Sequence, residues 1–164
     1  KIFKVLLSYE YLWNLIRVQG GAYGAMAVFT RYGAGFTSFR DPNISATDKV
    51  YQGIADYAVS YEADEREMTK SVIGAISTLD TPLSPSQEGS RALLAYLTGY
   101  TFEDVQRERD QILEADAKDI RALAPMLKAV LSEDAVCAIV NESQLKTEDI
   151  SFDKVELLYS TGEV

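Results

Sequence analysis

Histidine is missing from this sequence altogether. Its absence excludes Ser-His-Asp and Cys-His nucleophile arrangements, and every His-ligated zinc site, within the chain. Cysteine is nearly as scarce: with Cys137 alone, no intrachain disulfide can form. Its neighbours Ala135, Val136, Ala138, Ile139 and Val140 read as the setting of a buried small hydrophobe rather than a reactive thiol. Four prolines and ten glycines in 164 residues, against 47% hydrophobic residues, exclude collagen-like, low-complexity and disordered chains. No apolar run approaches the roughly 20 residues that span a bilayer, so no membrane role is expected. Positive charge is also short. The 16 Lys and Arg face 25 Asp and Glu, a net charge of −9, which is the wrong sign for binding nucleic acid by phosphate neutralisation.

What is present is unevenly placed. Residues 1–61 carry six basic and four acidic side chains and residues 62–164 carry ten and 21, so the acidic excess sits on the later, helix-rich part. There it reads as a solvated surface. The length suits one domain over residues 1–164. The composition suits a reducing compartment, the cytoplasm in the first instance and an organellar matrix as the alternative. The chain opens at Lys1 without a Met, a leader or a helix cap and is apolar at once (Ile2, Phe3, Val5, Leu6, Leu7), which reads as a fragment whose upstream part is missing.

Leu7, Tyr11, Leu12, Leu15 and Ile16 recur at helical spacing up to about Val18, and Gly20-Gly21 ends that helix. Tyr23–Thr30 and Gly35–Arg40, joined by Arg31-Tyr32-Gly33-Ala34, read as a β-hairpin that Pro42 terminates. A helix capped by Ser45 or Thr47 follows to about Tyr61, then one from about Asp64 with Met68, Val72, Ile73 and Ile76 on one face. Asp80–Pro85 is a loop, and Ser86–Leu97 is a helix ended by Gly99. Thr101 with Asp104 forms a capping-box pattern opening a charged helix to about Ala115, and residues 117–131 form another, bent near Pro125. Ala135–Val140 and, more weakly, Phe152–Leu158 read as strands, with a short turn or helix near Glu142–Lys146 between them. Three or four strands with segregated helices predict an α+β sandwich with a small antiparallel sheet.

The stretch Arg17-Val18-Gln19-Gly20-Gly21-Ala22-Tyr23-Gly24 is the most unusual. It lacks P-loop spacing and runs from helix to strand, the reverse of a dinucleotide-binding turn. A structural turn explains the glycines. A second reading gives Arg17 as a fixed cation and Tyr23 as a phenol donor flanking that turn, a pair able to hold a peptide carbonyl or an oxyanion.

These residues, together with Tyr11-Leu12-Trp13 upstream and Ser38-Phe39-Arg40-Asp41-Pro42-Asn43 downstream, resemble the C-terminal end of the insulinase/pitrilysin superfamily of zinc metallopeptidases. The likeness is to its presequence-protease subfamily. Lys70-Ser71-Val72-Ile73-Gly74 and the acidic, arginine-containing helix after Thr101 resemble it too. The resemblance implies a peptidase of two halves closing on a chamber. The missing N-terminal half would hold zinc through an inverted His-x-x-Glu-His motif, and the C-terminal half would lend Tyr23 to the scissile carbonyl and Arg17 to a neighbouring one. It implies a peptide substrate, zinc bound outside this chain, and an isolated fragment that is inactive.

Other features carry weaker readings. Arg40-Asp41 reads as an ion pair or turn anchor before it reads as a substrate contact. Glu103, Asp104, Glu108, Asp110 and Glu114, interleaved with Arg107 and Arg109, read as a solvated helix face rather than a metal site. Trp13 reads as core. The rival functions are a non-catalytic, processing-peptidase-like assembly subunit and an unrelated α+β binding module. A sheet edge left bare by truncation would invite a homodimer.

Overall fold

The computed structural model describes residues 1–30 and 33–158. The chain begins with α1 (Ile2–Leu6), which runs without interruption into a π-helical segment (Leu7–Gln19). Its fully buried side chains Leu7, Leu12 and Ile16 are spaced by five and four, wider than α-helical packing, as bonding from i to i+5 requires. The widened turn persists at the end of the segment. Gly20 N–H donates to Leu15 O at 3.0 Å and Ala22 N–H to Ile16 O at 3.1 Å, closing it as a glycine-terminated cap stretched by one residue. Both glycines are required here. A Cβ on Gly20 would lie 2.6 Å from the Ile16 carbonyl oxygen, and Gly21 holds φ +79°, in the left-handed region.

β1 (Gly24–Thr30) and β2 (Gly33–Phe39) pair antiparallel from Gly24↔Phe39 to Thr30↔Gly33. The expected turn over residues 31–34 is shorter, because Gly33 and Ala34 already belong to the ladder; Arg31 and Tyr32 lie outside the described residues. Alternation sorts the two faces. Ala27 is buried and Phe29 stands edge-on to Phe3 with centroids 5.9 Å apart, while Met26 and Val28 face outward.

α2 (Ile44–Gln52) and α3 (Ile54–Val59) lie against the π segment and carry an aromatic cluster in which Tyr11 and Tyr57 approach to 4.7 Å. The predicted Ser45 or Thr47 cap is not the one used. α2 starts at Ile44 after Asn43, whose side chain does not cap it, and Thr47 is buried inside the helix.

α4 (Glu65–Leu79) starts in a reciprocal Asp64–Glu67 capping box and buries Met68, Ser71 and Ala75. Ile73, predicted on that face, is 62% exposed. α5 (Pro85–Thr98) and α6 (Phe102–Glu114) open with Ser84–Gln87 and Thr101–Asp104 boxes, and α5 closes on Gly99. The predicted bend in residues 117–131 is a break between α7 (Ala117–Ala122) and α8 (Ala124–Ser132), with Pro125 in the first turn of α8, where its missing N–H costs nothing. α9 (Glu142–Leu145) is a single turn.

The fold is α+β, with one two-stranded sheet among the described residues. Ala135–Val140 and Phe152–Leu158 are not strands. Neither finds a partner to complete a ladder, and most of their apolar side chains face solvent, Ile139 at 79% and Leu157 at 82% exposure. Cys137, expected to be buried, is exposed for the same reason. The core lies where α1 and the π segment meet α3, α4 and the hairpin, with Leu6, Leu7, Leu12, Ile16, Ile54 and Leu127 fully enclosed.

Candidate functional site

Arg17 leaves the last turn of the π segment and Tyr23 sits one residue before β1, on either side of the glycine bend. The bend folds them together. Arg17 Nη1 donates to the Tyr23 backbone carbonyl at 2.7 Å, and its guanidinium lies over the Tyr23 ring, 5.5 Å from the centroid. Below it, Trp13 presents its indole 4.1 Å from the same guanidinium. Trp13 is therefore not the core residue the sequence suggests. It is 40% exposed and forms the platform that holds the cation. Arg17 follows Trp13 by four positions, about one helical turn, and that spacing was the available signal.

Tyr23 is 61% exposed, and its hydroxyl makes no hydrogen bond among the described residues. One of the five guanidinium donors of Arg17 is engaged in the same sense. The pair can thus supply both a phenolic O–H and further N–H donors to an acceptor arriving from solvent.

The opposite wall is the corner after β2. Tyr23 N–H is shared between the carbonyls of Phe39 (3.0 Å) and Arg40 (3.4 Å). Phe39 packs edge-on against the Tyr23 ring at 5.9 Å. Arg40 occupies the left-handed region at φ +49° and brings a second guanidinium over that ring, 5.7 Å from its centroid. Arg40 and Asp41 make no ion pair. Asp41 Oδ1 instead accepts from Asn43 N–H at 2.9 Å and shapes the turn, while Asn43 Nδ2 donates to Gly20 O at 3.0 Å and ties the corner to the bend. Two guanidinium groups over one exposed phenol make a local positive patch on a chain that is acidic overall.

The acidic helix contributes nothing comparable. In α6, Asp104 pairs with Arg107 at 2.9 Å and Glu108 with Lys1 at 2.9 Å, and Arg109 reaches Asp80 at the end of α4. No group of three or more Cys, Asp and Glu side chains that could hold a metal ion occurs among the described residues. The surface hollows on α6 and between α4 and α7 do not include Arg17 or Tyr23.

A family model described as "PreP C-terminal domain" matches residues 1–142, and the chain belongs to that presequence-protease-like family of peptidases. It is 42% identical over 156 residues to "Protein HypA" of Clostridium perfringens, covering 94% of this chain and 16% of that protein. It is 33% identical over 141 residues to "Presequence protease 1, chloroplastic/mitochondrial" of Arabidopsis thaliana, covering 85% of the chain and 13% of the relative. To "Presequence protease, mitochondrial" of Aspergillus oryzae it is 35% identical over 164 residues, 99% of the chain and 15% of the relative. The chain thus spans between 13% and 16% of the length of these three relatives. No helix among the described residues is long and apolar enough to cross a membrane.

Proposed function

We propose that residues 1–164 form a C-terminal, substrate-positioning domain of a zinc-dependent endopeptidase that cleaves unstructured peptides in a chamber closed by the rest of the same polypeptide. The observation that carries this reading is the exposed, unbonded Tyr23 hydroxyl set beside an Arg17 guanidinium with donors to spare. Tyr23 donates to the scissile carbonyl oxygen as negative charge develops on it, and Arg17 fixes an adjacent backbone carbonyl. Trp13 holds Arg17 in place from below.

As it stands the site is open to solvent between its two walls, with Tyr23 61% exposed. The remainder of the polypeptide would close over it and exclude water, which strengthens both interactions. It would also cover the outer face of α5, where Leu93, Leu94, Tyr96 and Leu97 all lie exposed. Zinc is then held by residues outside this chain, and the isolated chain is inactive. A dimer of the isolated chain would form on these bare surfaces and the open hairpin edges. The compartment is a reducing one, cytoplasm or organellar matrix, which suits the exposed Cys137 thiol.

In the protein that carries this chain, Tyr23→Phe keeps the ring packed against Phe39 and removes only the donor. The expected result is a kcat lowered by about 10- to 1000-fold. An unchanged kcat removes Tyr23 from the mechanism.

A further inference from the structure

The corner that aims Tyr23 is itself held from a distant part of the chain. We propose that Gln144 and Glu148, just beyond the family-model match at residues 1–142, are positioning residues that latch the site corner in place. This inference rests on the reading of Tyr23 as an oxyanion donor.

The geometry is a chain of hydrogen bonds. Gln144 Nε2 donates to the Asp41 carbonyl oxygen at 2.8 Å, across 103 residues of sequence. Glu148 accepts at Oε1 from Ile44 N–H (3.0 Å) and at Oε2 from Ser45 N–H (2.8 Å) and the Ser45 hydroxyl (2.7 Å). Those amides are the first two of α2, which have no partner within a helix.

Asn43, the residue placed to cap them, does not do so, because its amide is turned to Gly20 O. The division of labour follows from this. Asn43 serves the glycine bend, and Glu148 supplies the cap that Asn43 has given up. A carboxylate at that helix end also meets the positive end of the helix dipole. The Ser45 hydroxyl first, with the amides of Ser45 and Ile44, holds the Glu148 carboxyl below its ordinary range, consistent with a bound, ionised cap.

The corner is therefore held on one side by the latch and on the other by the glycine bend. Residues 41, 44 and 45 are held by the latch, residues 39, 40 and 43 hold Gly20 and Tyr23, and Arg17 completes the ring through the Tyr23 carbonyl. Releasing the latch frees the Arg40 corner and misdirects the phenol without touching it. Displacements of about an ångström at a reacting group cost up to about 100-fold in rate.

The test uses the protein that carries this chain, with Gln144→Ala, Glu148→Gln and their combination each made in the Tyr23 and in the Tyr23→Phe background. Glu148→Gln keeps the side-chain shape, so the variants remain folded, and thermal unfolding checks this. kcat and KM are measured on an unstructured peptide bearing a fluorophore and quencher. The expected result is a kcat lower by about 3- to 30-fold in the combined latch variant, with KM within about twofold. In the Tyr23→Phe background the same latch changes should cost little further, because the lever they act through is gone. A latch variant with wild-type kcat overturns the proposal, as does an equal further loss in the Tyr23→Phe background. If Tyr23→Phe alone leaves kcat unchanged, the underlying reading of Tyr23 fails first, and with it the latch. A Tyr23→Phe loss beside an inert latch defeats the latch alone.

Discussion

Gly21 shows how much of the site depends on one backbone angle. Its φ of +79° turns the chain so that a helix-ending arginine and a strand-leading tyrosine meet, and a Cβ there would stand 3.6 Å from Pro42 Cγ, an ordinary contact. The strain in Gly21→Ala therefore comes from the backbone and not from a clash. It should lower stability by about 1–2 kcal/mol in denaturant titration. A cost near zero would mean that the bend can be remade by an ordinary residue. Gly20 differs, since a side chain there meets the Ile16 carbonyl at 2.6 Å and has nowhere to go. The sequence made the paired glycines visible, together with Arg17 and Tyr23 on either side. It misplaced Trp13, because a large aromatic on an apolar helix face looks the same whether it fills a core or underlies a cation.

Among the elements, those built from neighbouring residues were legible and those built from distant ones were not. The helix start at Thr101 could be read because the groups that satisfy its first amides lie three residues apart, and the start near Asp64 because acids crowd the first turn ahead of an apolar face. Thr101→Ala removes such a partner from α6 and should cost about 0.5–2 kcal/mol, read as a lower unfolding midpoint. An unchanged midpoint would show that water caps α6 equally well. The hairpin also announced itself through aromatic strands around a short turn. Ala135–Val140 misled for the opposite reason: β-propensity describes a side chain suited to a sheet, yet a strand exists only if another strand accepts its hydrogen bonds. The π-helical widening of Leu7–Gln19 escaped notice because Leu7, Tyr11, Leu12, Leu15 and Ile16 also contain the spacings of three and four that mark an ordinary helix. Glu148 as the cap of α2 was out of reach of any local pattern, standing 103 positions along the chain from Ser45.

At the scale of the molecule, a well-packed centre coexists with broad apolar surfaces. Leu12, Ile54 and Leu127 are fully enclosed, while α5 buries none of its residues. The three relatives compared are several times longer than this chain. The centre has its own pH signature. Burial pushes the phenols of Tyr51 and Tyr61 up to about 12, and that of Tyr57 higher still, because the enclosed sites disfavour phenolate. A raised folded-state value means that the neutral phenol stabilises the fold fully below about pH 10 and that this contribution is lost as pH climbs through about 12. Phenolate absorbance followed with far-UV circular dichroism should therefore show these tyrosines ionising together with unfolding. Their ionisation near pH 10 in a fully folded protein would contradict the enclosed aromatic cluster.

The most direct measurement compares two ligands on the protein that carries this chain, a peptide with a planar amide at the cleavage position and its phosphinate analogue, whose tetrahedral anion mimics the developing oxyanion. If Tyr23 donates to that oxygen, Tyr23→Phe should weaken the phosphinate by about 10- to 1000-fold and the planar peptide by no more than about threefold. Equal weakening of both would make Tyr23 a plain binding contact, and no weakening of either would remove it from the site.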